Sequence, residues 1–94
     1  MLFDLTGKVA LITGSSKGIG KSIAEQMALF GAKVVISSRK ADICETVTAE
    51  INESVKDQPG EAFSIPCNIS SKEQLQSLVD QTRQHFGQID VLVC

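Results

Sequence analysis

Lys8-Val9-Ala10-Leu11-Ile12-Thr13-Gly14-Ser15-Ser16-Lys17-Gly18-Ile19-Gly20 is the stretch that decides the fold. Its first six residues are an apolar run too short for a helix and bounded by a glycine, the pattern of a buried strand. Gly14, Gly18 and Gly20 follow. A segment of helical period comes next, with Ile19, Ile23, Ala24, Met27 and Phe30 on one side. Strand, glycine turn and helix together aim a helix N-terminus at a phosphate. The glycines let the chain turn out of the strand, bring backbone close to a ligand and seat the helix on a sheet.

Spacing separates the kinds of phosphate loop. The commonest dinucleotide fingerprint, GxGxxG, fails, because this stretch reads GxxxGxG. Gly20-Lys21-Ser22 looks like the end of a P-loop, GxxxxGK[ST], but that motif needs glycine where Ser15 stands, and Gly14 is one residue too early. A P-loop enzyme also needs a second strand ending in an aspartate for magnesium. The best candidate, Val91-Leu92-Val93-Cys94, ends in none.

Composition sets the class. Ninety-four residues make at most one small domain. A hydrophobic share of 43% beside 21% charged residues is ordinary for a globular protein. A net charge of -2 argues against nucleic acid held on a basic surface. No apolar run is long enough to span a membrane, and the first residues lack the basic start and apolar core of a secretory signal. Three cysteines at wide spacings, Cys44, Cys67 and Cys94, with a single His85, give no metal-ligand pattern. They read as reduced thiols and imply a cytoplasmic protein.

The rest of the chain alternates strand and helix. A helix is expected from Ile19 to Phe30, stopped by Gly31. Val34-Val35-Ile36 reads as a second buried strand, closed by Ser37-Ser38-Arg39-Lys40. Ile43, Val47, Ile51 and Val55 recur on one face of a helix from Ala41 to Val55. After the Asp57–Gly60 turn, Ala62–Cys67 reads as a third strand with Pro66 at its end or on an edge. Ser70 and Glu73 form a capping box for a third helix, which buries Leu75, Leu78, Val79 and Phe86 and ends at Gly87. Ile89–Val93 is a fourth strand. The order βαβαβαβ, with a glycine after each helix, implies an α/β fold with a parallel sheet.

The pattern Thr13-Gly14-Ser15-Ser16-Lys17-Gly18-Ile19-Gly20, preceded by Gly7–Ile12, resembles the cofactor loop of the short-chain dehydrogenase/reductase family. The resemblance runs through all 94 residues, including Phe86-Gly87-Gln88-Ile89-Asp90 and the fourth strand. It implies a Rossmann-type doubly wound sheet in the order 3-2-1-4, with the first two helices on one face and the third on the other. It also implies that Gly14, Gly18, Ile19 and Gly20 face a pyrophosphate, with Ser15 and Ser16 near the adenosine ribose and phosphates. Where members preferring NAD carry an aspartate at the end of the second strand, this chain has Ser38, followed by Arg39, with Lys17 in the glycine loop. A 2′-phosphate needs cations rather than a carboxylate, so these residues point to NADP(H). Asn68 stands where the family usually has an aspartate that accepts from the adenine amino group, and its amide oxygen can still accept. Read without a ligand, Asn68 is a turn residue before the third helix. Ile69 would offer its backbone and an apolar edge.

Family catalysis uses a tyrosine, a lysine, a serine and an asparagine. This sequence has no tyrosine, and all four would fall beyond position 94. The fourth strand is apolar without alternation, which calls for cover on both faces. The chain is therefore expected to be the N-terminal part of a longer NAD(P)-binding domain. The intact protein would be an oxidoreductase interconverting a small-molecule carbonyl and an alcohol, and a homo-oligomer. A non-catalytic nucleotide-binding or regulatory module is the alternative.

Overall fold

The structure, a computed structural model, describes residues 4–14, 18–68 and 70–93. Its elements follow in the order β1 (Val9–Thr13), α1 (Gly18–Leu29), β2 (Lys33–Ser37), α2 (Ala41–Ser54), β3 (Glu61–Ser64), α3 (Lys72–Phe86) and β4 (Val91–Val93). The strands form one parallel sheet in the order β3-β2-β1-β4. Fold class and strand order are those the sequence leads one to expect.

Alternation along the strands divides the core in two. Ala10, Ile12, Val34, Ile36 and Ala62 face α1 and α2, which supply Ala24, Ala28, Cys44, Val47 and Ile51. Alanine at 24 and 28 lets α1 lie close against the sheet. Leu11 and Val35 point the other way, where they meet Ile65, Cys67 and Leu78 of α3. Each large apolar side chain so buried stabilises the fold by about 1.5–3 kcal/mol. The first two helices thus share one face and α3 takes the other.

Side-chain hydrogen bonds secure the two outer strands. On β3, Asn52 of α2 offers both ends of its amide to the edge: Nδ2 donates to the Ala62 carbonyl at 3.0 Å, and Oδ1 accepts from the Ala62 amide at 2.8 Å. The amide acts as a substitute for a neighbouring strand and blunts an edge that would otherwise recruit one. On the other side, Asp90 accepts from the Val9 amide at 2.8 Å and donates its own amide to the Val9 carbonyl at 2.8 Å. Gln88 Nε2 donates to the same carboxylate. The Val9 bond, then the Gln88 bond, hold the Asp90 carboxyl below the ordinary aspartate range.

Several boundaries differ from expectation, each for a local reason. Helix α1 starts at Gly18, and Ile19 is 81% exposed rather than part of its buried side. Five residues separate Ile19 from Ala24, roughly 140° around a helix, so Ile19 misses the buried stripe. Gly31 does stop α1: its amide donates to Ala28 O and that of Ala32 to Met27 O, the paired bonds of a Schellman ending. No glycine stops α2, whose C-cap is Val55, buried, with its amide donating to Ile51 O. Strand β3 begins at Glu61 and ends at Ser64; Ile65 and Cys67 still donate to Ile36 O and Ser38 O, but Pro66 between them is exposed and has no N–H. Helix α3 is capped by Ser71, not Ser70. Ser71 Oγ accepts from Gln74 N, whereas Ser70 is engaged with Asn68. Strand β4 is shorter than Ile89–Val93, and cover on both its faces is not found. Leu92 pairs with Leu11 in register and shares the α3 side, yet is 57% exposed. The cluster that α3 covers takes in Leu11, Val35 and Phe63 of β1, β2 and β3 and does not include Leu92.

Candidate functional site

Parallel strands bring their C-terminal ends to one rim. Thr13 at the end of β1 is in register with Ser37 at the end of β2. The β1–α1 turn and the Ser38-Arg39-Lys40 turn therefore leave the sheet side by side. Thr13 Oγ1 donates to the Val93 carbonyl at 3.3 Å, which ties in the end of β4. Between β1 and β4 the strand order reverses, and in open α/β sheets ligands bind outside the strand ends at such a point.

The glycine turn has the backbone that the sequence requires. Gly14 and Gly18 both have φ 65°, a conformation that disfavours other residues. Among the described residues nothing lies within 4 Å of where a Cβ would stand at either. Glycine at these positions leaves a cradle that a side chain would fill. Gly18 opens α1, whose first turn carries no acidic side chain. The free amides and dipole of this helix end suit an anion. Ile19 and Gly20 lie in the first turn, Ile19 exposed and Gly20 half-buried. Ser15, Ser16, Lys17 and Ile69, which the sequence also marks as site residues, lie outside the described residues, as does Cys94.

Lys21 is held elsewhere. Its ammonium sits 3.9 Å from a Glu25 oxygen and 3.8 Å from a Glu50 oxygen, bracing α1 against α2. A P-loop lysine must reach the phosphates instead.

At the end of β2, Ser38 is half-buried and Arg39 exposed. Ser38 is fixed through its main chain, since its carbonyl accepts from Cys67 N at 2.9 Å. Its hydroxyl accepts from Lys40 N at 3.3 Å and lies 3.2 Å from Cys44 Sγ. The Cys44 contact has no sign in the sequence, since an i, i+6 spacing across a strand end and a helix start has no periodic signature. Arg39 is exposed beside this serine, and among the described residues its guanidinium has no ion-pair partner.

The two roles expected of Asn68 fare differently. Its Oδ1 accepts from Ser70 N at 3.0 Å and from Ser70 Oγ at 2.6 Å, while its backbone N–H donates to Gln74 Oε1 at 2.9 Å. The turn role is thus filled. An oxygen already accepting twice has little capacity left for an adenine amino group, and the open end of the amide is Nδ2, a donor. That end suits a ring nitrogen of a base.

No group of three or more His, Cys, Asp or Glu residues among the described residues could hold a metal ion. No helix among them is long and apolar enough to cross a membrane. Cys44 and Cys67 are free thiols, and burial pushes the Cys67 thiol up.

The model of the short chain dehydrogenase family matches residues 8–94. The chain belongs to the short chain dehydrogenase family. Its relatives include glucose 1-dehydrogenase 2 of Bacillus subtilis, 42% identical over 99% of this chain and 35% of that protein. Among solved structures, a 3-ketoacyl-(acyl-carrier-protein) reductase from Brucella melitensis complexed with NADH superposes with a TM-score of 0.83 at 36% identity, over 95% of this chain and 34% of that one. The L-sorbose reductase from Gluconobacter frateurii complexed with NADPH and L-sorbose gives 0.87 at 33% identity, over 98% of this chain and 34% of that one. The chain spans about a third of the length of these relatives. As a short chain dehydrogenase it has solved relatives with either nicotinamide cofactor bound, so family membership supports nicotinamide binding without choosing between the two.

Proposed function

We propose that this chain is the N-terminal, cofactor-holding part of an NADP(H)-dependent oxidoreductase that interconverts a carbonyl and an alcohol. The observation that carries the proposal is the pairing of two turns on one rim. One turn offers bare backbone at Gly14 and Gly18, and its neighbour offers Ser38 and Arg39 where an acidic residue would favour NAD. Gly14, Gly18 and the first turn of α1 would take the pyrophosphate, with Ser15 and Ser16 beside it. Ser38, Arg39 and Lys17 would surround the 2′-phosphate, and Asn68 and Ile69 the adenine. When bound, the cofactor supplies the hydride. These residues bind and orient it; the tyrosine-centred proton chemistry of the family would come from chain beyond residue 94. The whole protein would act on a small molecule in the cytoplasm as a homo-oligomer.

Backbone amide spectra test this reading. NADPH should shift the signals of Gly14, Gly18, Gly20, Ser38 and Arg39 together, whereas magnesium-ATP should leave them in place. Shifts confined to other surfaces, or an equal response to magnesium-ATP, would overturn it.

A further inference from the structure

Cys44, in the first turn of α2, is wholly buried in the core, yet its sulfur touches a polar group of the candidate site. It lies 3.2 Å from Ser38 Oγ, where either atom can donate, and its thiol donates to the Ser38 carbonyl at 3.9 Å, a longer bond that it gives up if it turns to the hydroxyl. A serine hydroxyl has one hydrogen to give and two lone pairs to accept with. One lone pair at Ser38 is taken by the Lys40 amide. The thiol contact settles the rest. If the hydroxyl donates to sulfur, what remains toward solvent is a lone pair, which suits a ribose hydroxyl. If the thiol donates to the hydroxyl, both lone pairs are filled and the hydrogen is left over, which suits a phosphate oxygen. Sulfur is a weak donor and a weak acceptor, so the contact can reverse at little cost.

We infer that Cys44 is a positioning residue for cofactor discrimination: its thiol donates to Ser38 Oγ when a 2′-phosphate is present and so frees the serine hydrogen for that phosphate. The inference rests on the proposed placement of Ser38 beside the adenosine ribose. It adds a buried residue with no ligand contact to the determinants of specificity. Valine fills a similar volume but cannot donate. The same oxygen would then keep an unfilled lone pair facing the core, and the hydroxyl would be held less well toward the phosphate.

The test is calorimetric titration of the full chain with adenosine 2′,5′-bisphosphate and with adenosine 5′-monophosphate. In Cys44→Val, and in Cys44→Ala as a second variant, the preference for the bisphosphate should fall about fivefold, the worth of one neutral hydrogen bond. Cys44→Ser, which restores a donor, should return the wild-type preference. Ser38→Ala should lose at least as much preference alone, and adding Cys44→Val to it should cost nothing further, since the thiol acts only through the hydroxyl. A purely structural role for Cys44 would lower affinity for both nucleotides, or the melting temperature, without moving their ratio. An unchanged ratio in the two Cys44 variants, or in Ser38→Ala, overturns the inference while leaving the proposed function standing. Wild-type chain that binds neither nucleotide overturns both.

Discussion

Two turns leave the same rim of the sheet, one after β1 and one after β2, and they are built in opposite ways. The first is shaped by glycine: Gly14 and Gly18 hold left-handed backbone with nothing among the described residues within 4 Å of where a Cβ would stand, and the helix it enters carries no acidic side chain in its first turn. The second is dressed: Ser38 is fixed through three of its polar contacts, and Arg39 projects into solvent. Backbone amides grip a phosphate whichever dinucleotide it belongs to. In the proposed reading, Ser38 and Arg39 at the second turn, together with Lys17, would meet the part of the ligand where the two nicotinamide cofactors differ. In that reading Gly14, Gly18 and the first turn of α1 grip, while Ser38 and Arg39, with Lys17, choose; the two turns are neighbours through the register of Thr13 with Ser37.

The largest expected effect breaks the grip. Gly14→Val or Gly18→Val puts a branched side chain on backbone with φ 65°. The strain is about 1–3 kcal/mol, and the side chain also fills the cradle. NADPH and NADH should both weaken by about a hundredfold or more in calorimetric titration, with no change in preference. A loss restricted to one cofactor would end the division of labour.

Next comes the choice. Arg39→Ala removes a charge-assisted hydrogen bond of about 1.5–3 kcal/mol. NADPH should weaken by about ten- to a hundredfold while NADH stays nearly unchanged. Equal losses would remove Arg39 from the phosphate site. Ser38→Asp should act in the reverse sense, repelling the 2′-phosphate and accepting from ribose hydroxyls, and swing the preference toward NADH by about tenfold.

The smallest effect is a control at the opposite end of the strands. The Asp90 carboxyl is held below its ordinary value by the Val9 amide and Gln88. A carboxyl lowered on folding contributes stability that is present above its unfolded value, about 3.9, and is lost as pH falls through the lower folded value. Asp90→Asn should therefore reduce the melting temperature at neutral pH, with the difference from wild type shrinking as pH falls below about 4. Cofactor preference should not move. A changed preference would mean that the two turns are not independent of the way β4 is anchored.

How much of this is legible in the residues follows from range. Apolar runs, glycine stops and helical period are local, and they place the alternating elements well; the strand order follows from the family resemblance. Ser38 and Arg39 are marked by their position at a strand end. What escapes is whatever depends on neighbours distant in the chain or on a one-residue choice. Ser70 and Ser71 are both good caps, and only the claim of Asn68 on Ser70 decides for Ser71. Ile19 fits an apolar helical list but falls outside its buried arc. The Asn52 clamp on β3 and the Cys44 contact with Ser38 arise when α2 packs on the sheet, and no sequence spacing announces them. The exposure of Leu92 differs in kind: it belongs to a strand composed for cover on both faces and stands outside the cluster that α3 covers.

The central claim is that this rim holds NADP(H) in preference to NAD(H). Competitive titration of the wild-type chain with NADPH and NADH at low and moderate salt tests it most directly. The account predicts tighter binding of NADPH at both salts, with the advantage shrinking as salt screens the exposed Arg39. Equal affinities, or a preference for NADH that salt does not alter, would contradict it.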